Sequence, residues 1–73
     1  PRWTELQYLA GMVCWHHALW GKAQQMLELA APQLTHPELQ RQAWRTLAQL
    51  AEHKEETARA QMYWKRAAEV AAA

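Results

Sequence analysis

Three residues in the first half of the chain, Cys14, His16 and His17, have side chains of the kind that bind transition metals or haem iron. A structural zinc site needs four converging ligands, and neither the C-x-x-C nor the H-x-x-x-H spacing occurs in this sequence. On a helix, Cys14 and His17 share a face, whereas His16 is turned by about 100° from His17. Covalent haem attachment needs C-x-x-C-H, which is also missing. The sequence therefore predicts surface histidines, a buried thiol and no metal site.

The remaining polar residues give little support for catalysis. Glu52, Glu55 and Glu56 form one charged turn and not a convergent pair of acids. No nucleophile stands at a suitable spacing from a base and an orienting group. We expect a protein that is not an enzyme.

The composition indicates packed helices. Of the 73 residues, 51% are hydrophobic, five are Trp and only two are Gly, which suits close helix packing and disfavours sheet. The net charge of +1 comes from eight basic and seven acidic side chains scattered along the chain, so no basic stripe predicts nucleic-acid binding. Cys14 is the only cysteine, which excludes an internal disulfide and fits a reducing compartment.

Prolines and one polar turn divide the chain into four predicted helices. We expect them at about 3–17, 20–31, 36–53 and 57–70. Thr4 with Gln7, and likewise the pair Thr35 and Glu38, have the spacing of a capping box. Pro37 suits the first turn of the third helix. The predicted fold is all-α.

The first helix is apolar on two sides. One stripe consists of Leu6, Leu9, Ala10, Val13 and Cys14, and the other of Tyr8, Met12, Trp15 and Leu19. A helix that is apolar nearly all round is normally buried on both sides, and two hairpins alone do not provide that cover. We therefore expect self-association, as a symmetric homodimer or by exchange of a helix.

A pattern of mostly small residues occurs twice, 37 positions apart. Gly11, Ala23, Leu27 and Ala30 are repeated as Ala48, Ala60, Trp64 and Ala67. A period between about 20 and 50 residues is typical of stacked repeats in which each unit is a helical hairpin. The pattern predicts two antiparallel hairpins, residues 1–37 and 38–73, stacked as part of an α-solenoid.

These positions resemble tetratricopeptide repeats, whose units keep small residues where two helices cross. The second copy also has the early Trp44 and the following Leu47 of that family. The chain departs from the family in three respects: Gln7 replaces an early aromatic residue, three extra residues lie between the units, and the inner turns lack glycine. The resemblance implies a scaffold for protein–protein interaction.

A narrower resemblance rests on residues 18–24, ALWGKAQ, and on residues 63–67, YWKRA. These segments are similar to the C-terminal repeat region of the HemY family, which are bacterial inner-membrane proteins associated with porphyrin and haem metabolism. That family has an N-terminal membrane anchor before its repeats. The resemblance implies a longer parent protein at the inner membrane, of which this chain is a soluble part, with the cytoplasmic side favoured.

In the repeat family the first helix of each hairpin lines a concave groove. The resemblance implies groove residues from both copies: Glu5, Tyr8, Met12, Trp15, His16, Gln42, Arg45, Gln49, Glu52 and His53. Aromatic, Met and Arg side chains are favoured at protein interfaces, so we expect a protein partner that contributes a helix or an extended segment. The alternative is that Tyr8, Met12 and Trp15 pack against a neighbouring repeat or a second copy of the chain.

Two other functions stay open. The porphyrin link of the HemY family suggests direct haem binding, in which His16 and His53 would supply two axial nitrogens beside Trp15. The chain could equally be a repeat module of an unrelated assembly complex. Apart from haem in the first of these, we expect no cofactor.

Overall fold

Four α-helices account for most of residues 2–70, the part of the chain that the computed structural model describes. They are α1 (Trp3–His16), α2 (Trp20–Ala30), α3 (Pro37–His53) and α4 (Thr57–Glu69), and a short 3₁₀ turn (Ala31–Gln33) follows α2. Helix α1 packs against α2 and α3 packs against α4, so the described residues form two helical hairpins. Residues 2–70 contain no strand, and the predicted all-α fold is confirmed.

The helices begin and end within one residue of the predicted positions. The differences, each of one residue, are at the start of α3, which begins at Pro37, and at the ends of α1, α2 and α4, which stop at His16, Ala30 and Glu69. Ala71, which continues the helical spacing of Ala60, Trp64 and Ala67 in the sequence, lies outside the described residues. Across residues 2–70, no helix combines the length and the apolar character needed to cross a lipid bilayer.

Both predicted capping boxes are wrong. Helix α1 already begins at Trp3, and the amide of Leu6 donates to the carbonyl of Arg2, so Thr4 lies inside the helix. Helix α3 begins at Pro37, and its N-cap is His36, which has an extended backbone and no capping hydrogen bond from its side chain. Proline forces the residue before it out of the helical region, so the N-cap is His36, one residue beyond Thr35.

The turns inside the two hairpins have the same conformation although their sequences differ. Ala18 and Glu55, which are 37 positions apart, have φ values of 59° and 61°. In each turn the amide of the next residue donates to a carbonyl five residues back, Leu19 to Cys14 and Glu56 to Ala51, both at 2.8 Å. This is the hydrogen bond of a Schellman motif, in which glycine usually takes the left-handed position. The repeat therefore extends to the turn geometry, where the sequence shows no glycine.

Helices α1 and α2 lie close together at Gly11. A Cβ atom at this position would lie 2.8 Å from both Cγ and Cδ2 of Leu27 and 3.2 Å from Cβ of Met26. Leu27 is fully buried, so its side chain has no room to move away. Only a residue without a side chain allows this crossing.

The small repeat positions lie in the interior. The buried members are Gly11, Ala23, Leu27, Ala30, Leu47, Ala48, Ala60 and Ala67. Trp44 and Trp64 are half-buried and pack against the core. The ring of Trp44 stacks on that of Tyr63 with centroids 6.0 Å apart, and the guanidinium of Arg66 lies 5.9 Å from the centre of the same indole, which is a cation–π distance.

Helix α2 joins the two hairpins. Three hydrogen bonds link the first hairpin and its 3₁₀ turn to the second: Lys54 Nζ to Gln24 Oε1 at 2.6 Å, Tyr63 Oη to Glu28 Oε2 at 2.6 Å, and Gln40 Nε2 to the carbonyl of Ala31 at 2.8 Å. Trp20 adds a ring contact to His53, with centroids 4.9 Å apart. The second helix of one hairpin thus packs on the first helix of the next, as in a stacked repeat.

The two apolar stripes of α1 have different surroundings. Tyr8 is buried, and Met12 and Trp15 are half-buried against the core. On the opposite stripe, Leu6, Leu9 and Val13 are 54%, 55% and 57% exposed. The prediction that two hairpins leave one side of α1 uncovered agrees with this arrangement.

Replacing Gly11 with Ala should destabilise the fold, whereas the same change at Gly21 should not. Both glycines are helical, but a Cβ at Gly21 would meet no atom within 4 Å. We expect Gly11→Ala to lower the free energy of unfolding by about 1 kcal/mol, because overpacking outweighs the gain in helix propensity. Gly21→Ala should raise it by about 0.5 kcal/mol. Urea denaturation measures both, and equal effects would contradict the close crossing.

Glycine at the two left-handed positions should stabilise the chain. A side chain at φ near 60° is strained, and relief of that strain exceeds the added entropy of glycine in the unfolded state. We expect Ala18→Gly and Glu55→Gly each to raise the free energy of unfolding by about 0.5–1 kcal/mol. Ala58→Gly, at an exposed helical position of α4, is the matched control and should lower it. Destabilisation at positions 18 and 55 would count against the turn geometry.

The Tyr63–Glu28 hydrogen bond should make stability depend on alkaline pH. Burial, together with the bond to the Glu28 carboxylate, raises the pKa of Tyr63 from 10.0 to about 12. Because the folded-state pKa is the higher one, the stabilisation is complete below about pH 10 and is lost as the pH rises through about 12. Denaturation at a series of pH values should show a steeper alkaline loss for the parent than for Tyr63→Phe. Parallel curves for the two proteins would rule out this linkage.

Candidate partner-binding surface

Helix α3 is covered on two sides and exposed on a third. Gln40 and His53 contact the first hairpin, and Ala43, Thr46 and Leu50, which lie between them on the same side, are buried. Trp44 and Glu52 contact α4 through the ring of Tyr63 and the indole of Trp64. The remaining side presents the exposed residues Gln42 and Gln49, with His53 at its end. We call these three residues the α3 strip.

The repeat places a corresponding set of side chains on α1. Glu5 and His16 are exposed and stand 37 positions before Gln42 and His53. Met12, which corresponds to Gln49, is half-buried and packs against the core with part of its side chain accessible. Among the predicted groove residues of α1, Glu5 and His16 are exposed, and Met12 and Trp15 are accessible in part.

Tyr8 is not available to a partner. Its side chain is 7% exposed and belongs to the hydrophobic core, and burial raises the pKa of its phenol. Spacing along α1 correctly puts Tyr8 near the face of Met12, but the packing of the hairpins covers it. Tyr8 is thus buried within its own chain, which neither the groove prediction nor the alternative of packing against a neighbouring repeat or a second copy had described.

A cluster of three rings lies where α1, α2 and α3 meet. The indole of Trp20 lies 5.1 Å from that of Trp15 and 4.9 Å from the imidazole of His53, centroid to centroid. Two predicted groove residues, Trp15 and His53, therefore come together through a third that the groove prediction omitted. The sequence feature that could have identified Trp20 is its difference from the second repeat, which has Thr57 in place of an aromatic residue at the equivalent position.

Arg45 and Glu52 face α4 more than they face α1. Glu52 Oε2 accepts a hydrogen bond from the indole Nε1 of Trp64 at 2.8 Å. Arg45 lines a shallow depression of about 510 Å³ together with Trp64, Ala67 and Ala68. These two residues are exposed, but they belong to the end of the molecule formed by α3 and α4.

The titratable residues singled out in the sequence do not form a metal centre. Within residues 2–70, no group of three or more His, Cys, Asp or Glu side chains is placed to hold a metal ion. Cys14 is a half-buried free thiol that packs against the core. The imidazole of His53 contacts the ring of Trp20, and Glu56 forms an ion pair with Arg59 at 3.8 Å.

Comparison of the chain with known protein families, with curated proteins and with solved structures finds no match.

Proposed function

We propose that this chain is a non-catalytic scaffold for protein–protein interaction and that its partner contributes an extended segment to the α3 strip. The observation that supports this most directly is the exposure of the α3 strip on a helix whose other two sides are buried. The strip lies on a rigid element, because the neighbouring residues of α3 are held in both interfaces.

The chemistry of the strip suits a polypeptide backbone. Gln42 and Gln49 each offer an amide donor and an amide acceptor, which can pair with the C=O and N–H groups of an extended segment. Met12 and Trp15, accessible in part on α1, would provide the apolar contacts that give such interfaces most of their affinity. Met12 and Gln49 occupy equivalent positions of the two hairpins, and equivalent positions of stacked repeats face the same side, so the two residues would add apolar and polar contacts to one binding surface.

The resemblance to tetratricopeptide repeats supports the same proposal. Two features found in the structure agree with it: the stacking of one hairpin on the next through α2 and α3, and the identical turns at Ala18 and Glu55. The HemY resemblance would place the scaffold in a membrane-anchored protein associated with haem or porphyrin metabolism. That narrower proposal rests on residues 18–24 and 63–67 alone.

A peptide-display selection tests the function with a matched pair of variants. Random extended peptides displayed on phage are selected on the immobilised chain, and the affinities of selected peptides are then measured by calorimetry. We expect Gln49→Arg to weaken binding at least about tenfold, which corresponds to about 1.4 kcal/mol. Gln25→Arg is the same substitution at an exposed position of α2 and should leave the affinity unchanged.

Two results would contradict the proposal. One is a selection that yields no peptide above the background of an unrelated helical protein. The other is a set of peptides that bind the Gln49→Arg and Gln25→Arg variants equally well, because the binding surface would then lie elsewhere.

A further inference from the structure

The exposed side of α1 is the repeat equivalent of a buried side of α3. Between Gln40 and His53, the side of α3 that contacts the first hairpin contains Ala43, Thr46, Leu47 and Leu50, each no more than 1% exposed. The residues 37 positions earlier are Leu6, Leu9, Ala10 and Val13, all of them exposed. We call these four residues the head surface.

The exposed side of α4 is the repeat equivalent of the side of α2 that contacts the second hairpin. Helix α2 and the residue after it contact the second hairpin through Trp20, Gln24, Glu28 and Ala31. The residues 37 positions later are Thr57, Gln61, Lys65 and Ala68, which are all exposed. We call these four residues the tail surface.

The depression beside the tail surface has a filled counterpart inside the molecule. Four of the residues that line it are Arg45, Trp64, Ala67 and Ala68. Their equivalents in the first hairpin are Tyr8, Leu27, Ala30 and Ala31, which are all buried in the core. The end of the molecule formed by α3 and α4 therefore exposes a surface whose equivalent in the first hairpin is buried in the core.

The head surface keeps the aliphatic character of its counterpart on α3. Ala43 and Thr46 correspond to the larger Leu6 and Leu9, whereas Leu47 and Leu50 correspond to the smaller Ala10 and Val13. On the tail surface, Thr57 stands where α2 has Trp20, and Ala68 stands where the inner junction has Ala31. An aliphatic helix surface can pack closely against a surface that has small side chains at such positions.

From these equivalences we infer that the head surface of one chain binds the tail surface of a second copy, in the geometry by which α2 packs on α3. The contact joins two different surfaces, so it does not close on itself, and further copies can add at either end. The inference does not depend on the proposed partner of the α3 strip, which lies on another side of α3.

Complementary blocking of the two surfaces tests this contact. Leu9→Glu places a charge on the head surface, and Ala68→Glu places one on the tail surface; both positions are exposed in the single chain, so the fold should persist, as circular dichroism can verify. In sedimentation equilibrium the parent should show an average mass that keeps rising with concentration beyond that of a dimer. Each variant alone should be a monomer, because each lacks one of the two surfaces.

An equimolar mixture of the two variants gives the decisive measurement. The intact tail of Leu9→Glu and the intact head of Ala68→Glu should form a 1:1 heterodimer that grows no further. A parent chain that stays monomeric at millimolar concentration would overturn the inference. So would an Ala68→Glu variant that still dimerises while Leu9→Glu does not, since that result means a symmetric contact between two α1 helices.

Discussion

The crossing of α1 and α2 at Gly11 is the constraint on which the remaining structure depends. Leu27 occupies the space that a side chain at Gly11 would need, and this brings the two helices together at short range. Helix α2 is thereby held with its other side toward the second hairpin, where Gln24 and Glu28 accept hydrogen bonds. The exposed strip of α3, the ring cluster around Trp20 and the uncovered side of α1 all follow from the position of this one helix.

Much of the fold could be predicted from the sequence because the helix-breaking residues and the repeat of small side chains indicate the same helix boundaries. Proline at 37, the polar residues at 54–57 and the 37-residue period of small side chains are enough to give four helices in two pairs. The details that failed depend on backbone geometry. Thr35 has the right spacing for a cap, but Pro37 controls where α3 begins. The left-handed positions of the two turns are occupied by Ala18 and Glu55, and without glycine the sequence does not indicate this conformation.

The candidate site was less predictable, because a helical face does not reveal what covers it. Tyr8 and Met12 have similar positions on α1, yet the first is buried and the second is partly accessible. Trp20 lies outside the repeat-based groove prediction because the second repeat has Thr57 at the equivalent position, yet its ring contacts both Trp15 and His53. The segment 18–24, on which the HemY resemblance rests, supplies the left-handed turn, this indole, a buried alanine and the Gln24 hydrogen bond. Its residues serve the architecture, so a similar segment can recur wherever two hairpins stack in this way.

The bond between Tyr63 and Glu28 also has a consequence for how the chain folds. Most helix contacts lie within a hairpin, between segments that are close in sequence, and such local pairing forms quickly. The links formed by α2 are what make the second hairpin depend on the first, since a buried phenol would lose its acceptor if α2 moved away. The cooperativity of this small protein thus depends on one helix. Weakening the contacts of α2 with the second hairpin would let the two hairpins unfold in separate transitions.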